Sequence, residues 1–323
     1  MKIKFILFFA VIIILGNSAV CGQGNPRTAE DFFYRAYEYY FDGQYEQAIK
    51  DFSESIRLEP DIPYAYHGRA NAYSMLDQKD MAIRDLNEAI KLDNSFTDAY
   101  IDRGDIYRVL NRFDLAIRDL NEAVKIEPDY YYAYGVRGAV YHDQSNYEMA
   151  LRDFNEALRL EPDFSWVYAV RGSVLWRLGN YEAALNDLSE AISIDPEDSY
   201  AFLNRGTVYQ RLGQQEEAIR DLNEVIRLNS EDIKYNSSFA WYFSNRGEAY
   251  RLLGEYEIAI EDFNESIRLR NDYASSWTYG RRGLAYMALG QRELAISDFQ
   301  MALSTNPTLD WVIAALQDLQ RNN

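Results

Sequence analysis

The chain has 323 residues, of which 48% are hydrophobic and 15% aromatic, and its formal net charge is -18. This composition is too apolar for a disordered chain and predicts one or two folded domains. The negative charge argues against nucleic-acid binding, because a protein that neutralises phosphates needs a basic surface. Cys21 is the sole cysteine, which excludes an intramolecular disulfide.

Residues 1–22 have the pattern of a secretory signal peptide. A basic start with Lys2 and Lys4 precedes an apolar run at residues 5–15, which is too short to span a bilayer. The alternative, a buried N-terminal helix, is disfavoured because the run has no polar face. We therefore expect cleavage of residues 1–22, a short linker at residues 23–28, and an exported protein that is periplasmic, attached to the envelope or secreted.

Cys21 follows the apolar run directly and leaves two routes of processing open. Its position resembles that of the cysteine in a bacterial lipoprotein signal, which becomes the acylated N-terminus. The match is incomplete, because Val20 stands where a small residue is expected and Ser18 where leucine is usual. Ordinary cleavage near Ala19 or Gly22 is favoured, and a lipid on Cys21 is the sole membrane attachment that the sequence suggests.

Eight copies of one unit fill residues 29–306. Each copy contains a block such as MAIRDLNEAIKLDN or LAIRDLNEAVKIEP. One alanine marks the same place in every copy: Ala48, Ala82, Ala116, Ala150, Ala184, Ala218, Ala259 and Ala295. The first six alanines are 34 residues apart, the next gap is 41 and the last is 36. The gap of 41 indicates an insertion near residues 229–238, which could extend a helix by about two turns. Its serine, asparagine and acidic residues favour a protruding loop instead.

Each unit predicts two amphipathic helices joined by a tight turn. Small and aromatic residues recur at helical spacing, for example at Tyr100, Gly104 and Tyr107. Residues suited to a left-handed turn separate the two halves of the units: Gly43, Asp77, Asn111, Ser145, Gly179, Gly213, Gly254 and Gly290. A proline such as Pro162 tends to close the unit. The unit is therefore a helix-turn-helix hairpin.

The repeat resembles the tetratricopeptide repeat, which has small, aromatic and alanine residues at fixed places over 34 residues. One copy reads Tyr134, Gly138, Tyr141, Ala150, Phe154, Ala157 and Pro162. The resemblance extends over roughly residues 28–307. It implies an all-α fold, a right-handed superhelical solenoid of about eight helix-turn-helix hairpins. Residues 307–323 read as a C-terminal capping helix, which shields the last hydrophobic face of a solenoid.

One departure from the family pattern recurs in every unit. An arginine stands where leucine is usual: Arg35, Arg69, Arg103, Arg137, Arg171, Arg205, Arg246 and Arg282. An aspartate follows each arginine by 16 residues: Asp51, Asp85, Asp119, Asp153, Asp187, Asp221, Asp262 and Asp298. Because a buried charge is tolerated only when it is paired, we predict a structural arginine–aspartate ladder rather than a charged ligand site.

In the family that this chain resembles, the first helix of each hairpin builds the concave groove, and that face supplies the candidate partner-binding residues. They are Tyr132, Trp166, Trp176, Arg177, Tyr200, Asn204, Arg211, Trp241, Asn245, Arg251 and Trp277. Aromatic and arginine side chains dominate binding hot spots. The aromatic column among these residues consists of Tyr132, Trp166, Tyr200, Trp241 and Trp277. It either faces the groove or packs between hairpins, and the sequence leaves both alternatives open.

The resemblance implies a protein-protein interaction scaffold, and the residues themselves offer no catalytic set. The two histidines, His67 and His142, lie in different hairpins, and no metal cluster or phosphate loop is apparent. The carboxylate clamp of one family variant is not reproduced, since Leu203 and Ser244 stand where a lysine is expected.

We therefore expect a non-enzymatic envelope adaptor without cofactor or metal. It would be a monomer or weak oligomer that binds a protein or peptide segment in its groove. The alternative is a structural envelope component that assembles with itself.

Overall fold

The structure is a computed structural model that describes residues 27–269 and 274–321. The predicted signal peptide, Cys21 and most of the predicted linker lie outside these residues. The described residues form 17 α-helices and include no strand, as the all-α fold class predicted. None of these helices is long and apolar enough to cross a membrane.

Sixteen helices alternate as first and second helices of eight hairpins. The first helices are α1 Ala29–Phe41, α3 Pro63–Met75, α5 Thr97–Val109, α7 Tyr131–Asp143, α9 Ser165–Arg177, α11 Ser199–Arg211, α13 Ala240–Leu253 and α15 Ala274–Ala288. The second helices are α2 Tyr45–Leu58, α4 Lys79–Leu92, α6 Phe113–Ile126, α8 Tyr147–Leu160, α10 Tyr181–Ile194, α12 Gln215–Tyr235, α14 Tyr256–Leu269 and α16 Arg292–Thr305. A final helix, α17 Asp310–Arg321, confirms the predicted terminal helix.

The helices belong to two compact units. The first unit comprises the described residues up to Ile106 together with Asn121–Glu127, and the second comprises Tyr107–Leu120 and the described residues from Pro128 onward. Within the first unit α1–α2 and α3–α4 pack as hairpins, within the second unit the pairs from α7–α8 to α15–α16 do so, and neighbouring hairpins of these sets pack on each other. The second unit also contains α17, which packs on α16.

Each hairpin turns through one residue in the left-handed conformation. All eight residues predicted for these turns have positive φ, for example +81° at Gly179 and +56° at Asn111. The turn satisfies the end of the first helix, since the Gly179 N–H donates to the Trp176 carbonyl at 3.0 Å. The prediction of tight turns at these positions is therefore confirmed.

Small residues let the two helices of a hairpin approach closely. All eight marker alanines are fully buried. In the fourth hairpin, the fully buried Phe154 ring of α8 lies against Gly138 of α7. A Cβ atom added to Gly138 would lie 2.6 Å from Phe154 Cε1, so the absence of a side chain makes room for the ring.

This contact predicts that Gly138→Ala destabilises the second unit by about 1–3 kcal/mol, because the enclosed Phe154 ring must shift. Gly206→Ala is the matched control: there an added Cβ would lie 3.2 Å from Leu222 Cγ. A small shift relieves that contact, and alanine favours the helix by about 1 kcal/mol. Urea unfolding of both variants measures the difference. Equal effects would contradict the assigned close packing at Gly138.

The predicted arginine–aspartate ladder is confirmed for the seven pairs whose two members lie in the same unit. In every such pair the arginine Nε and Nη2 donate to the two carboxylate oxygens of the aspartate. In the Arg137–Asp153 pair these distances are 2.7 and 2.8 Å. The seven aspartates are buried, so each bidentate pair links the first and second helix of one hairpin.

The ladder arginines also connect neighbouring hairpins. Arg171 Nη1 donates to Asn155 Oδ1 of the preceding hairpin at 2.7 Å, and Arg205 Nη1 donates to Ser189 Oγ at 3.1 Å. An aromatic ring of the same helix lies against the guanidinium, as Tyr168 does 5.4 Å from Arg171 Cζ. All three guanidinium nitrogens of Arg171 and of Arg205 thus donate to acceptors, a set of contacts that leucine cannot make.

The predicted protruding loop at residues 229–238 is wrong, because α12 continues as helix to Tyr235. Leu228 and Asn229 are buried, and Ser199 Oγ of α11 donates to Asn229 Oδ1 at 3.3 Å. The extension therefore begins with packed residues and ends in exposed ones such as Tyr235. Helix-forming polar residues with (i, i+4) pairing, such as Arg227 and Glu231 at 3.0 Å, stabilise the added turns.

Candidate partner-binding surface

Four first helices of the second unit carry an unusual excess of positive charge. Helices α9, α11, α13 and α15 contain eight arginines and one acidic residue, Glu248. Four of these arginines belong to the ladder and are neutralised by its aspartates. The other four are Arg177, Arg211, Arg251 and Arg281. In a chain of net charge -18, these helices therefore carry a local excess of positive charge.

The aromatic column, which extends from Tyr132 on α7 to Trp277 on α15, resolves the alternative that the sequence left open. Its rings contact one another in pairs: Tyr132 and Trp166 have centroids 6.4 Å apart, and Tyr200 and Trp241 have centroids 5.8 Å apart. Trp166 nevertheless remains 37% exposed and Trp241 47% exposed. The column therefore packs between hairpins and also offers ring surface to solvent.

Trp277, the last member of the column, lies in a more enclosed place. Its ring centroid is 5.7 Å from that of Trp311 in α17. Arg177 of α9 reaches the same ring, with its Cζ 5.2 Å from the Trp277 centroid and 5.8 Å from that of its neighbour Trp176. This cation–π stack joins the fifth and eighth hairpins across 100 residues of sequence.

A cavity of about 270 Å³ adjoins this stack. The ends of α7 and α9, α15 and the segment that leads into α17 line it, with Trp176, Trp277 and Trp311 as its aromatic walls. Asp143 lies at the same cavity, and Arg108 Nη1 donates to its carboxylate at 2.8 Å. Burial raises the pKa of Asp143, but the hydrogen bond with His142 and the charge of Arg108 outweigh it and lower the pKa. Asp143 is thus already paired and ionised.

Glu248 is shared between two arginines. Arg251 Nε and Nη2 donate to its two oxygens at 2.7 and 2.9 Å. Arg281 Nε lies 3.9 Å from the nearer oxygen, and Arg281 Nη1 lies 3.5 Å from Ser244 Oγ. One carboxylate therefore serves two guanidinium groups, and only Arg251 has it at close range.

The pKa values of Arg281 and Glu248 are shifted by burial and by the charges of the neighbouring arginines. Burial lowers the pKa of Arg281, Glu248 opposes that shift, and the charges of Arg251 and Arg177 lower it further. Burial raises the pKa of Glu248, but Arg251 and Arg281 outweigh burial and lower it. Arg251 and Arg177 therefore act on Arg281 as like charges, although Arg251 itself is paired with Glu248.

The two predicted asparagines are placed differently from the tryptophans. Asn204 is half-buried, and its Nδ2 donates to the Tyr200 carbonyl one turn earlier at 2.7 Å. Asn245 is fully buried, and neither amide atom has a hydrogen-bond partner among the residues that the structure describes. The helix α13 therefore turns the Asn245 side chain inward. Arg211, in contrast, is exposed.

Sequence reasoning missed Arg281, Glu248 and Trp311. Arg281 is adjacent to the ladder arginine Arg282, so a repeat pattern draws attention to its neighbour instead. Trp311 lies in the predicted terminal helix, and the contact of its ring with Trp277 is what the sequence pattern did not identify. An excess of arginine over acid, counted on the first helices alone, is the signal that would have identified Arg281.

Sequence profiles described as TPR repeat match residues 36–77, 104–145 and 172–213. Further profiles described as tetratricopeptide repeat match residues 63–96, 131–164, 197–272 and 278–309. No curated protein matches the chain.

Several solved structures share the fold. A chain of the APC/C hetero-tetramer Cut9-Hcn1 has 17% identity and a TM-score of 0.61, over 97% of this chain and 58% of that one. This chain therefore spans little more than half of that protein. A tetratricopeptide repeat protein from Parabacteroides merdae has 19% identity and a TM-score of 0.51, over 90% of this chain and 98% of that one.

PilW, a widely conserved type IV pilus biogenesis factor, has 18% identity and a TM-score of 0.57, over 62% of this chain and 93% of that one. At these identities the likeness shows the fold alone. Proteins built from this repeat are generally non-catalytic scaffolds that bind other proteins. The repeated profile matches, the eight hairpins and their shared turn geometry show that the chain belongs to the tetratricopeptide repeat family.

Proposed function

We propose that this chain is a non-enzymatic adaptor of the cell envelope, whose second unit binds a protein or peptide segment on its first helices. The observation that carries the proposal is the combination of half-exposed tryptophans and unpaired arginines on α9, α11 and α13. Trp166 and Trp241 offer apolar surface, and Arg177 and Arg211 form no ion pair with any residue in the described part of the chain. Aromatic and arginine residues are the types that carry most interface energy.

Site-specific crosslinking tests the proposed surface. Benzoylphenylalanine replaces Trp241 in one variant and Tyr235 in another, and both are exposed aromatics of the second unit. After irradiation in native envelope extract, the Trp241 variant is expected to capture a partner protein, and the Tyr235 variant, whose side chain lies at the end of α12, is not. Capture at Tyr235 without capture at Trp241 would place the interface elsewhere and contradict the proposal.

Light scattering separates the adaptor from the self-assembling envelope component. A monomer or weak oligomer over a wide concentration range supports the adaptor. A crosslink from Trp241 to a second copy of this chain, accompanied by concentration-dependent growth in mass, would instead establish self-assembly.

The envelope location is proposed from residues 1–22, whose basic start and apolar run have the pattern of an export signal. Protein isolated from its native compartment is expected to begin between Val20 and Gln23. N-terminal sequencing and intact mass measure this. A chain that retains Met1 would contradict export, and a diacylglycerol mass on Cys21 would establish the lipid-anchored form.

A further inference from the structure

We infer that Arg281, Arg251 and Arg177 form a carboxylate-binding site in the second unit, which takes the side chain of a glutamate or aspartate in an acidic peptide. The inference rests on the adaptor function proposed above and names the chemistry of the segment that it binds. The site differs from the family's carboxylate clamp, because arginines replace the lysines and asparagines and the ligand group is an internal side chain.

The central observation is the poor pairing of Arg281. Its side chain is 20% exposed, yet its nearest carboxylate oxygen, on Glu248, is 3.9 Å away. That separation is beyond hydrogen-bond range, and the contact of 3.5 Å to Ser244 Oγ is at its limit. A largely buried cation without a close acid is unfavourable, so the guanidinium is poised to accept a further anionic partner.

The adjacent residue provides an internal comparison. Arg282 is 16% exposed, a similar degree of burial, but its Nε and Nη2 donate to Asp298 at 2.8 and 2.7 Å. Two neighbouring arginines on α15 thus share a burial level, and only Arg282 has a dedicated acid. A structural role is sufficient to explain Arg282, whereas the guanidinium N–H groups of Arg281 lack a carboxylate at hydrogen-bond distance.

Apart from Glu248, no acid among the described residues forms an ion pair with Arg177, Arg251 or Arg281. Glu248 is the one acidic residue on α9, α11, α13 and α15, and Arg251 already holds both of its oxygens. Asp143 is bound by Arg108. Arg177 stacks on the Trp277 ring and forms no ion pair within the described residues. Three guanidinium groups therefore share one directly paired carboxylate, that of Glu248.

The chemistry of these donors favours a carboxylate. A guanidinium presents two parallel N–H groups that match the two oxygens of one carboxylate, as the Arg251–Glu248 pair shows within the site itself. The Tyr200 and Trp241 rings of the same unit have centroids 5.8 Å apart, and Trp241 is 47% exposed, so this ring pair offers apolar surface to another residue of the segment.

Calorimetric titration with a capped hexaglutamate peptide tests the site directly. The matched control is capped hexaglutamine, which has nearly the same shape without the charge. In buffer of about 25 mM salt, where screening is weak, hexaglutamate is expected to bind and hexaglutamine is not. Equal heats from the two peptides would overturn the inference.

Three variants assign the binding to the proposed residues. Arg281→Met is expected to weaken hexaglutamate binding about tenfold or more, because it removes a charge-assisted hydrogen-bond donor. Glu248→Gln is expected to strengthen binding, because it removes the competing acid. Arg159→Met, on the exposed surface of α8, is the control and leaves binding unchanged. Opposite signs for Arg281→Met and Glu248→Gln cannot arise from a general loss of folding.

Two outcomes would overturn the inference. Unchanged hexaglutamate affinity in both Arg281→Met and Glu248→Gln would show that the peptide binds elsewhere. Inorganic phosphate that binds more tightly than hexaglutamate and displaces it would show a phosphate site instead. Thermal melting accompanies each titration, and Arg281→Met is expected to melt no lower than the natural protein, since a poorly paired buried charge is removed.

The test distinguishes this inference from the adaptor function on which it rests. If hexaglutamate fails to bind while the Trp241 crosslinker still captures a partner, the carboxylate site is wrong and the adaptor function stands. If hexaglutamate binds through Arg281 but no partner is captured, the anion site stands and the adaptor function fails.

Discussion

Asp153→Ala is expected to destabilise the second unit by about 3–5 kcal/mol, because it leaves the Arg137 guanidinium buried without its acid. Asp153 is buried, and both its oxygens accept hydrogen bonds from Arg137 at 2.7 and 2.8 Å. The Tyr134 ring lies 5.3 Å from Arg137 Cζ and restricts its escape to solvent. Urea unfolding with hydrogen exchange is the measurement, and exchange should rise most in α7 and α8.

A double-mutant cycle separates the pair from its surroundings. Arg137→Leu together with Asp153→Ala is expected to recover much of the loss, because leucine is the residue that the family usually has there and no charge is left unpaired. Glu156→Ala is the control, since its ion pair with Arg159 is exposed and is expected to contribute little. A coupling energy near zero would mean that the ladder is no more than a set of solvated charges.

The combined variant Trp166→Ala, Arg177→Ala and Trp241→Ala is expected to weaken binding of the captured partner by at least about a hundredfold. Each substitution alone is expected to cost about 1–4 kcal/mol of binding free energy. The loss in the combined variant need not equal the sum of the three single losses. The two tryptophans contribute apolar contact, and Arg177 contributes a charge contact that weakens as salt is raised.

Binding isotherms at low and high salt, with circular dichroism of each variant, measure this effect. Glu216→Ala is the control, because Glu216 is exposed on the second helix α12. Affinity that survives all three substitutions with unchanged helical content would refute binding on the first helices. The outer face or α17 would then carry the interaction.

Repeat periodicity was sufficient to predict the hairpins, the turn residues and the ladder. Asp77, Asn111 and Ser145 were predicted as turn residues beside five glycines, and all have positive φ. These features are local or recur at a fixed offset of 16 residues, so a single sequence contains all the information. The insertion was predicted wrongly because polar composition was interpreted as a loop, although Glu231 and Lys234 are also good helix formers.

The candidate site was less accessible to sequence reasoning because its contacts do not follow the repeat. Arg177 meets Trp277 across 100 residues, and Arg281 approaches Glu248 across 33. The aromatic column was open to two interpretations, and the structure shows that they are compatible, since Trp241 packs on Tyr200 and is still half-exposed. Whether the predicted groove residues bind a partner stays a prediction.

The ladder also makes the hairpins interchangeable as building blocks. Five ladder arginines take their acid from their own hairpin and a further acceptor from the hairpin before it, as Arg205 does with Asp221 and Ser189. A hairpin that is duplicated or lost as a whole leaves both kinds of contact intact at the new junction. A chain with this architecture can therefore change its length in steps of one repeat, so that the extent of its surface varies without redesign of its core.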